Sequence, residues 1–382
     1  MAYRHFDITA AQTPKQTGAV CGDVVETLRA ADATWVVCAD GIGSGIQASV
    51  AAHLCASRLM TLVRDGTALR GAFLAVARTM NASRAPGLPY AAFSIARLLP
   101  DGGAAVLVYD APPPLLLAPV GAQPLPLRRF DEDGAVMGEA NHRLAPGEAL
   151  LLMSDGVTEA GRGAGLPQGW GVDGAGRFLS DAVNRGLAPA LLPGELCARA
   201  EALCGPGPRD DTTAVLVRCR RGVVLNILTG PPVERGRDRE VVRRFLAMEG
   251  QKVVSGGTTA AVVARVTGGK TEVLPQSMGT LGPPAYRLGG VDLVTEGAVT
   301  MNHAFNILDA PPDRLEPHSA VAELCALMRN ADRINFIVGR AANAASADIR
   351  FRQQHILPRT VIVPMLKERL EEEGRLVVVE YV

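Results

Sequence analysis

The stretch VVCADGIGSGIQ, residues 36–47, sets one carboxylate, Asp40, between a short apolar run and a glycine-rich turn. Val36–Ala39 reads as a buried strand, and the apolar residues from Ile46 to Met60 recur with helical spacing, so Asp40 is expected where a strand ends. Gly41, Gly43 and Gly45 let the backbone turn sharply and approach a ligand closely, which residues with a Cβ resist. A carboxylate and bare carbonyls offered together are the oxygen ligands that magnesium, manganese or calcium take. A helix N-cap is the competing reading of Asp40, because Asp before a helix is common.

Three further acidic positions share this context. Asp23 follows Cys21-Gly22, Asp155 ends the run LLLMSDG, and Asp210 with Asp211 opens RDDTTAVLVR. Four independent caps would be a coincidence, whereas acids gathered on one edge of a sheet repel one another unless a cation neutralises them. A two-metal oxygen site is the economical reading. Side chains alternate along a strand, so only one of the adjacent pair can point inward, and Asp211 reads as the solvent-facing member. The six histidines are scattered and none shares a motif with a serine or cysteine nucleophile. His53, on a helix, and His142, beside a strand start, read as structural or exposed.

These acids need elements to hold them. In residues 1–220, Ala33–Ala39 is a strand, and Ile46–Met60 with Leu69–Met80 form a helical hairpin. Ala92–Leu99 and Ala104–Tyr109 flank Pro100-Asp101-Gly102-Gly103, a strong hairpin signal. The proline-rich segment from Ala111 to Pro126 is expected as irregular edge structure. Ala149–Met153 is a buried strand, helical periodicity spans Gly176–Leu203, and Thr213–Cys219 is a last strand. Hairpin-linked strands with helices inserted in pairs indicate an α+β layered fold.

A second unit, residues 221–382, alternates strand and helix: Val223–Leu228, a charged helix over Arg235–Glu249, Lys252–Val254, Thr258–Val266, Val291–Val294, Ala298–Leu308, Ile334–Val338, Val361–Glu372 and Arg375–Tyr381. That alternation predicts an α/β domain with some parallel pairing. Ser255-Gly256-Gly257-Thr258-Thr259 lies between a strand and a helix, where backbone amides and hydroxyls are aimed at an anion. Glu296, after the strand DLV, and Arg340, after INFIV, occupy comparable places, so the three loops are candidates for a small anionic or nucleotide-like ligand site. A capped turn with close packing is the competing reading of SGGTT. Gly268-Gly269-Lys270-Thr271 reads as a hairpin turn and not a phosphate-binding loop, because no helix follows it.

The 382 residues favour two domains, each large enough for its own core. With 48% hydrophobic and 20% charged residues the chain falls among globular proteins. Thirty-nine basic residues balance 39 acidic ones, leaving no net field to draw nucleic acid or an acidic membrane. The amino terminus lacks the apolar core of a signal peptide and no 18-residue uncharged apolar stretch occurs, which predicts a cytoplasmic location. Seven cysteines without a C-x-x-C pair read as reduced core residues.

In order along the chain, Gly22-Asp23, Asp40-Gly41-Ile42-Gly43-Ser44-Gly45, Ser154-Asp155-Gly156 and Asp210-Asp211-Thr212-Thr213 resemble the motifs of the metal-dependent protein phosphatases (PPM, type 2C), in the bacterial SpoIIE branch. The resemblance covers about residues 1–220; no family is recognised for 221–382. It implies a β-sandwich of two antiparallel sheets flanked by helices, with two Mn2+ or Mg2+ ions in a cleft. By motif, Asp40 would bridge the ions, the Gly41 carbonyl would bind one, Asp155 and Asp210 would hold the other, and Asp23 would complete the first site. The implied activity is phosphoserine/phosphothreonine hydrolysis on a regulatory protein, such as an anti-sigma-factor antagonist, by a metal-activated water.

The sequence also departs from that pattern. Ser44 stands where many relatives carry histidine, and YDAPPPLLL replaces the family's asparagine-containing loop, so no substrate contact is carried over to Asp110–Pro114. The chain begins close to the catalytic fold, which places regulation downstream. The alternative function is a low-turnover signalling module that retains the metal site while the second domain senses an anionic ligand. A homodimer is one assembly left open.

Overall fold

Strands that are apolar on both faces shape the first unit. In the computed structural model, which describes residues 2–16, 18–43, 45–84, 88, 90–132, 134–206, 209–274, 285–311, 319–341 and 355–382, the chain divides into two units, Tyr3–Arg221 and Gly222–Val382. Ser44, noted above as a departure, lies outside the described residues.

The first unit begins with β1 (Arg4–Thr13), β2 (Val24–Arg29) and β3 (Thr34–Ile42), then helices α1 (Ile46–Arg64) and α2 (Leu69–Ala82). Strands β4 (Tyr90–Leu98), β5 (Gly103–Tyr109), β6 (Leu115–Ala118), β7 (Gly121–Pro124), β8 (Arg128–Glu132), β9 (Ala135–Arg143) and β10 (Ala149–Met153) follow. Helices α3 (Asp155–Thr158), α4 (Gly171–Asn184) and α5 (Leu192–Cys204) precede the last strand, β11 (Thr212–Arg221). They form two antiparallel sheets, ordered β1-β11-β10-β6-β7 and β2-β3-β4-β5-β9-β8. The fold is α+β, a β-sandwich with helices on both outer faces, as the family resemblance implied.

Alternation along β3 explains the layers. Val36 and Cys38 enter the core between the sheets with Phe6, Leu98, Val106, Leu152 and Val217, while Val37 and Ala39 face outward under Cys55, Leu59 and Phe73 of α1 and α2. On the opposite face, Leu179 of α4 and Leu196 of α5 cover Leu151, Met153 and Leu216. Helix α1 has the length and apolar content of a membrane span, yet about half of it is buried within the unit, with Ala52, Ala56 and Leu59 in the core against the sheet.

Several expectations need correction. β3 runs through Asp40 and Gly41 to Ile42, with Asp40 opposite Ala92, because β4 continues the pairing past the apolar run. The proline-rich segment is a regular hairpin, β6–β7, whose prolines lie before it, in its turn at Pro119, and at or just past its end. Strands β1, β2, β8 and β9 are absent from the sequence reading; their faces are largely half-buried or exposed, which weakens the apolar signal.

The second unit contains β12 (Val224–Thr229), α6 (Asp238–Ala247), β13 (Gln251–Ser255), α7 (Gly257–Thr267), β14 (Glu272–Val273), β15 (Tyr286–Leu288) and β16 (Val291–Thr295). After these come α8 (Gly297–Ile307), α9 (Ala320–Asn330), β17 (Arg333–Val338), α10 (Arg359–Glu372) and β18 (Leu376–Tyr381). Its sheet runs β14-β15-β16-β13-β12-β17-β18, parallel from β16 to β18 with an antiparallel edge. Helices α8, α9 and α10 pack on one face and α6 and α7 on the other, a doubly wound arrangement whose strand order reverses at β12 and β17. The Gly268–Thr271 segment is a correction: Gly268 is the left-handed C-cap of α7, so these residues end a helix before β14 and are not a hairpin turn.

Phe93 is fully buried between Phe73 and Tyr109, with ring centroids 5.3 and 5.4 Å away. Phe93→Ala is expected to lower stability by about 3–5 kcal/mol, read as a shift of the urea midpoint.

Candidate metal centre

Strand register gathers the acids. Val24 pairs with Ala39, Thr13 with Thr212, and Met153 with Ala214, so Asp23, Asp155 and Asp210–Asp211 each flank a strand end. Asp155 opens α3 directly after β10, and Asp210 and Asp211 precede β11.

The glycines beside these acids permit the approach. A Cβ at Gly41 would lie 1.9 Å from the Ala48 carbonyl oxygen, so the start of α1 presses on the backbone beside Asp40. A Cβ at Gly156 would lie 2.1 Å from the Asp211 carbonyl oxygen, and one at Gly22 would lie 2.8 Å from Asp211 Oδ2. At Gly41 and Gly156 the obstacle is backbone, so only glycine leaves that space open.

The carboxyl groups perturb one another as a buried cluster must. Burial pushes Asp23 up to about 7, with the Asp211 charge adding to it and the nearby Thr213 and Ser154 hydroxyls opposing it. Neither hydroxyl makes a hydrogen bond of ordinary geometry to Asp23, and both of its oxygens are buried without a partner. Thr213 Oγ1 instead accepts from Gln12 Nε2 at 3.1 Å, and Ser154 Oγ accepts from the Thr213 amide at 2.9 Å. Asp40 is raised well above the usual range by burial and then by the charges of Asp23 and Asp155. Asp155 is raised by burial, opposed by its interaction with Asp40, and raised further by the charge of Asp210.

Asp211 is a correction. It is 5% exposed, receives the Lys15 amide at 2.9 Å on Oδ1, and faces Asp23, whereas Asp210 is exposed and its charge acts on Asp40 and Asp155. The alternation argument fails because both residues precede β11 and are not bound to a pleat. Sequence reasoning also passed over Lys15, the one charged residue between Asp7 and Asp23; that isolation was the available signal. Asp110, in the replaced loop, adopts a left-handed backbone (φ 56°), and its carboxylate pairs with Arg84.

Among the described residues, no three His, Cys, Asp or Glu side chains form a ready-made metal cage. The donor set nevertheless fits a hard divalent cation: oxygen ligands only, mutually repelling, with the buried Asp23 carboxylate unpartnered. His53 is exposed on α1, with Nδ1 2.8 Å from the Ser49 carbonyl oxygen. All seven cysteines are free, and six are buried.

In the second unit the loops after β13 and β16 meet but turn their hydroxyls inward, and no contact joins Arg340 to them among the described residues. Thr259 Oγ1 accepts from the Gly230 amide at 2.9 Å, and Ser255 Oγ donates to the Gly297 carbonyl at 3.2 Å. The Gly256 amide donates to the Thr295 carbonyl at 2.7 Å. Glu296 accepts from the Tyr286 hydroxyl at 3.0 Å, while Arg340 stacks on Tyr381. Only Gly257 and Thr258 of the SGGTT segment are exposed.

A family model described as Stage II sporulation protein E (SpoIIE) matches residues 30–220. The chain belongs to the SpoIIE family. The matched segment contains Asp40, Gly41, Asp155, Asp210 and Asp211, with Asp23 and Lys15 just upstream. Among solved structures, the PP2C phosphatase domain with a fragment of the regulatory domain of SpoIIE from Bacillus subtilis is similar at 18% identity, over 58% of this chain and 65% of that one, with a TM-score of 0.49. The chain thus spans slightly less than two thirds of that structure. The RsbU and RsbW domains of Rv1364c from Mycobacterium tuberculosis match at 21% identity, covering 64% and 68% of the two chains, with a TM-score of 0.46. RsbX in complex with magnesium matches at 15% identity, covering 56% and 96%, with a TM-score of 0.40. No curated protein matches the chain.

Two outcomes follow from the crowded carboxyls and the glycine contacts. The folded pKa of Asp23 lies above its unfolded value, so the metal-free protein binds more protons when folded and loses stability as pH rises from about 4 to about 7. In EDTA the melting temperature is expected to fall over that window, and Asp23→Asn to flatten the fall and raise stability at pH 7.5 by on the order of 2 kcal/mol. Gly41→Ala is expected to cost about 3 kcal/mol or more in chemical denaturation, while Gly194→Ala on α5, with open space around it, changes stability by less than about 1 kcal/mol.

Proposed function

We propose that the first unit is a manganese- or magnesium-dependent protein phosphatase that hydrolyses phosphoserine or phosphothreonine on a regulatory protein. The observation that carries this reading is the buried, unpartnered Asp23 within a cluster of strand-flanking acids in a SpoIIE-family sandwich. Asp40 and the Gly41 carbonyl, with Asp23, Asp155 and Asp210, would hold two divalent ions, and Asp211 is buried where it would join Asp23. Bound there, such ions supply a water of lowered pKa and offset the charge of the phosphoryl oxygens.

The chain's own residues fit that division of labour. Asp40 feels the charges of both Asp23 and Asp155, which is the relation a shared ligand needs. Burial opposes the charges of Asp23, Asp40 and Asp155, which a cation would relieve. A cysteine nucleophile is disfavoured: the Cys21 thiol, two residues from Asp23, is pushed up to about 12 by burial, and Cys38 is raised well above the ordinary thiol value. The family resemblance makes a phosphorylated anti-sigma-factor antagonist the substrate class we favour, in the cytoplasm.

Hydrolysis of an aryl phosphate and a phosphothreonine peptide by the intact chain, in EDTA, magnesium or manganese, tests the reading. Turnover is expected only with a divalent ion, and Asp40→Asn is expected to reduce it at least 100-fold. Metal binding without turnover on either substrate would instead favour the signalling-module reading.

A further inference from the structure

Lys15 lies in the loop between β1 and β2, and its placement is over-determined. Its amide is fixed to Asp211 Oδ1 at 2.9 Å, and its ammonium donates to the Gly43 carbonyl at 3.1 Å. The same ammonium stands 3.9 Å from Asp210 Oδ1 and 4.0 Å from Asp211 Oδ2, on a side chain that is 21% exposed. Two carboxylates and a backbone carbonyl from the glycine-rich turn are the oxygen donors a hard cation takes. A lysine ammonium is a compact point charge on a flexible stem, able to enter such a cluster or leave it without breaking the backbone anchor.

We propose that Lys15 is a tethered cation that competes with a divalent ion for the Asp210–Asp211 end of the acidic cluster. The inference rests on the metal-centre reading above and adds to it a built-in competitor. With no divalent ion bound, the ammonium offsets part of the repulsion among the acids. A divalent ion that engages Asp210 or Asp211 meets a like charge about 4 Å from their oxygens and must displace it. Lys15 therefore sets the concentration at which this end of the centre fills. Because the anchor is the amide, the freed ammonium stays beside the centre.

The test is calorimetric titration of the intact chain with manganese chloride, together with its melting temperature in EDTA. Lys15→Met and Lys15→Gln remove the charge, the second keeping a donor for Gly43, and Lys15→Arg retains it. Both neutral variants are expected to bind manganese about 10-fold more tightly than the unsubstituted chain and to melt lower in EDTA, while Lys15→Arg stays within about 3-fold. Neutral variants that fold and bind no more tightly overturn the inference and leave Lys15 a loop anchor, with the metal reading intact. Absence of manganese binding in the unsubstituted chain overturns the metal reading, and the competition with it.

Discussion

Like charge crowded at one end of a β-sandwich is the constraint on which the first unit turns. Asp23, Asp40 and Asp155 are each at least half buried and are pushed up first by that burial, with neighbouring carboxylates adding to it, so this part of the cluster opposes folding until a cation enters it, while Lys15 offsets the charge only at the Asp210–Asp211 end. The remainder of the unit supplies the opposing stability. Three apolar layers, one between the sheets and one beneath each helical pair, hold the strands in register, and the contacts at Gly41 and Gly156 leave the acid-bearing segments little freedom to spread. The acidic cluster is thus carried at a local cost in stability, a cost a scaffold bears where its groups are kept for more than packing.

Much of this was legible because the signals were local. Asp40 and Asp155 after apolar runs, and Asp23 and Asp210–Asp211 just before others, lie at or within two residues of strand boundaries, a pattern visible in the sequence that already implied a common edge. The hairpin at Pro100–Gly103 and both long helices of the first layer were equally local. Distant pairing was not legible. β3 extends beyond its apolar run because β4 lies alongside, and the inward turn of Asp211 depends on the amide of Lys15, 196 positions earlier. A half-exposed strand such as β8 carries too weak a pattern to announce itself.

The second unit shows the same division in another form. Alternating strands and helices disclosed a mainly parallel sheet, and the polar loops after β13 and β16 do come together. What their composition concealed was direction. Ser255 and Thr259 spend their hydroxyls on neighbouring loops, so a sequence that looked arranged for an anion is, at those two positions, arranged for close packing between strand ends. Hydroxyls serve either purpose, and only the partner three-dimensional structure provides tells which.

The pairing of β1 with β11 has a consequence in time. Arg4 lies opposite Arg221 and Thr13 opposite Thr212, so the first strand made finds its partner only after the last strand of the unit has been synthesised. During translation the β2–β5 meander and its helical hairpin can form from near neighbours, whereas β1 waits with an unpaired edge. Asp23 and Asp211 arrive from opposite ends of that wait. A nascent chain interrupted before β11 therefore carries an unpaired β1 prone to aggregation and no complete acidic cluster, so the acids come together only once β11 has joined the sheet.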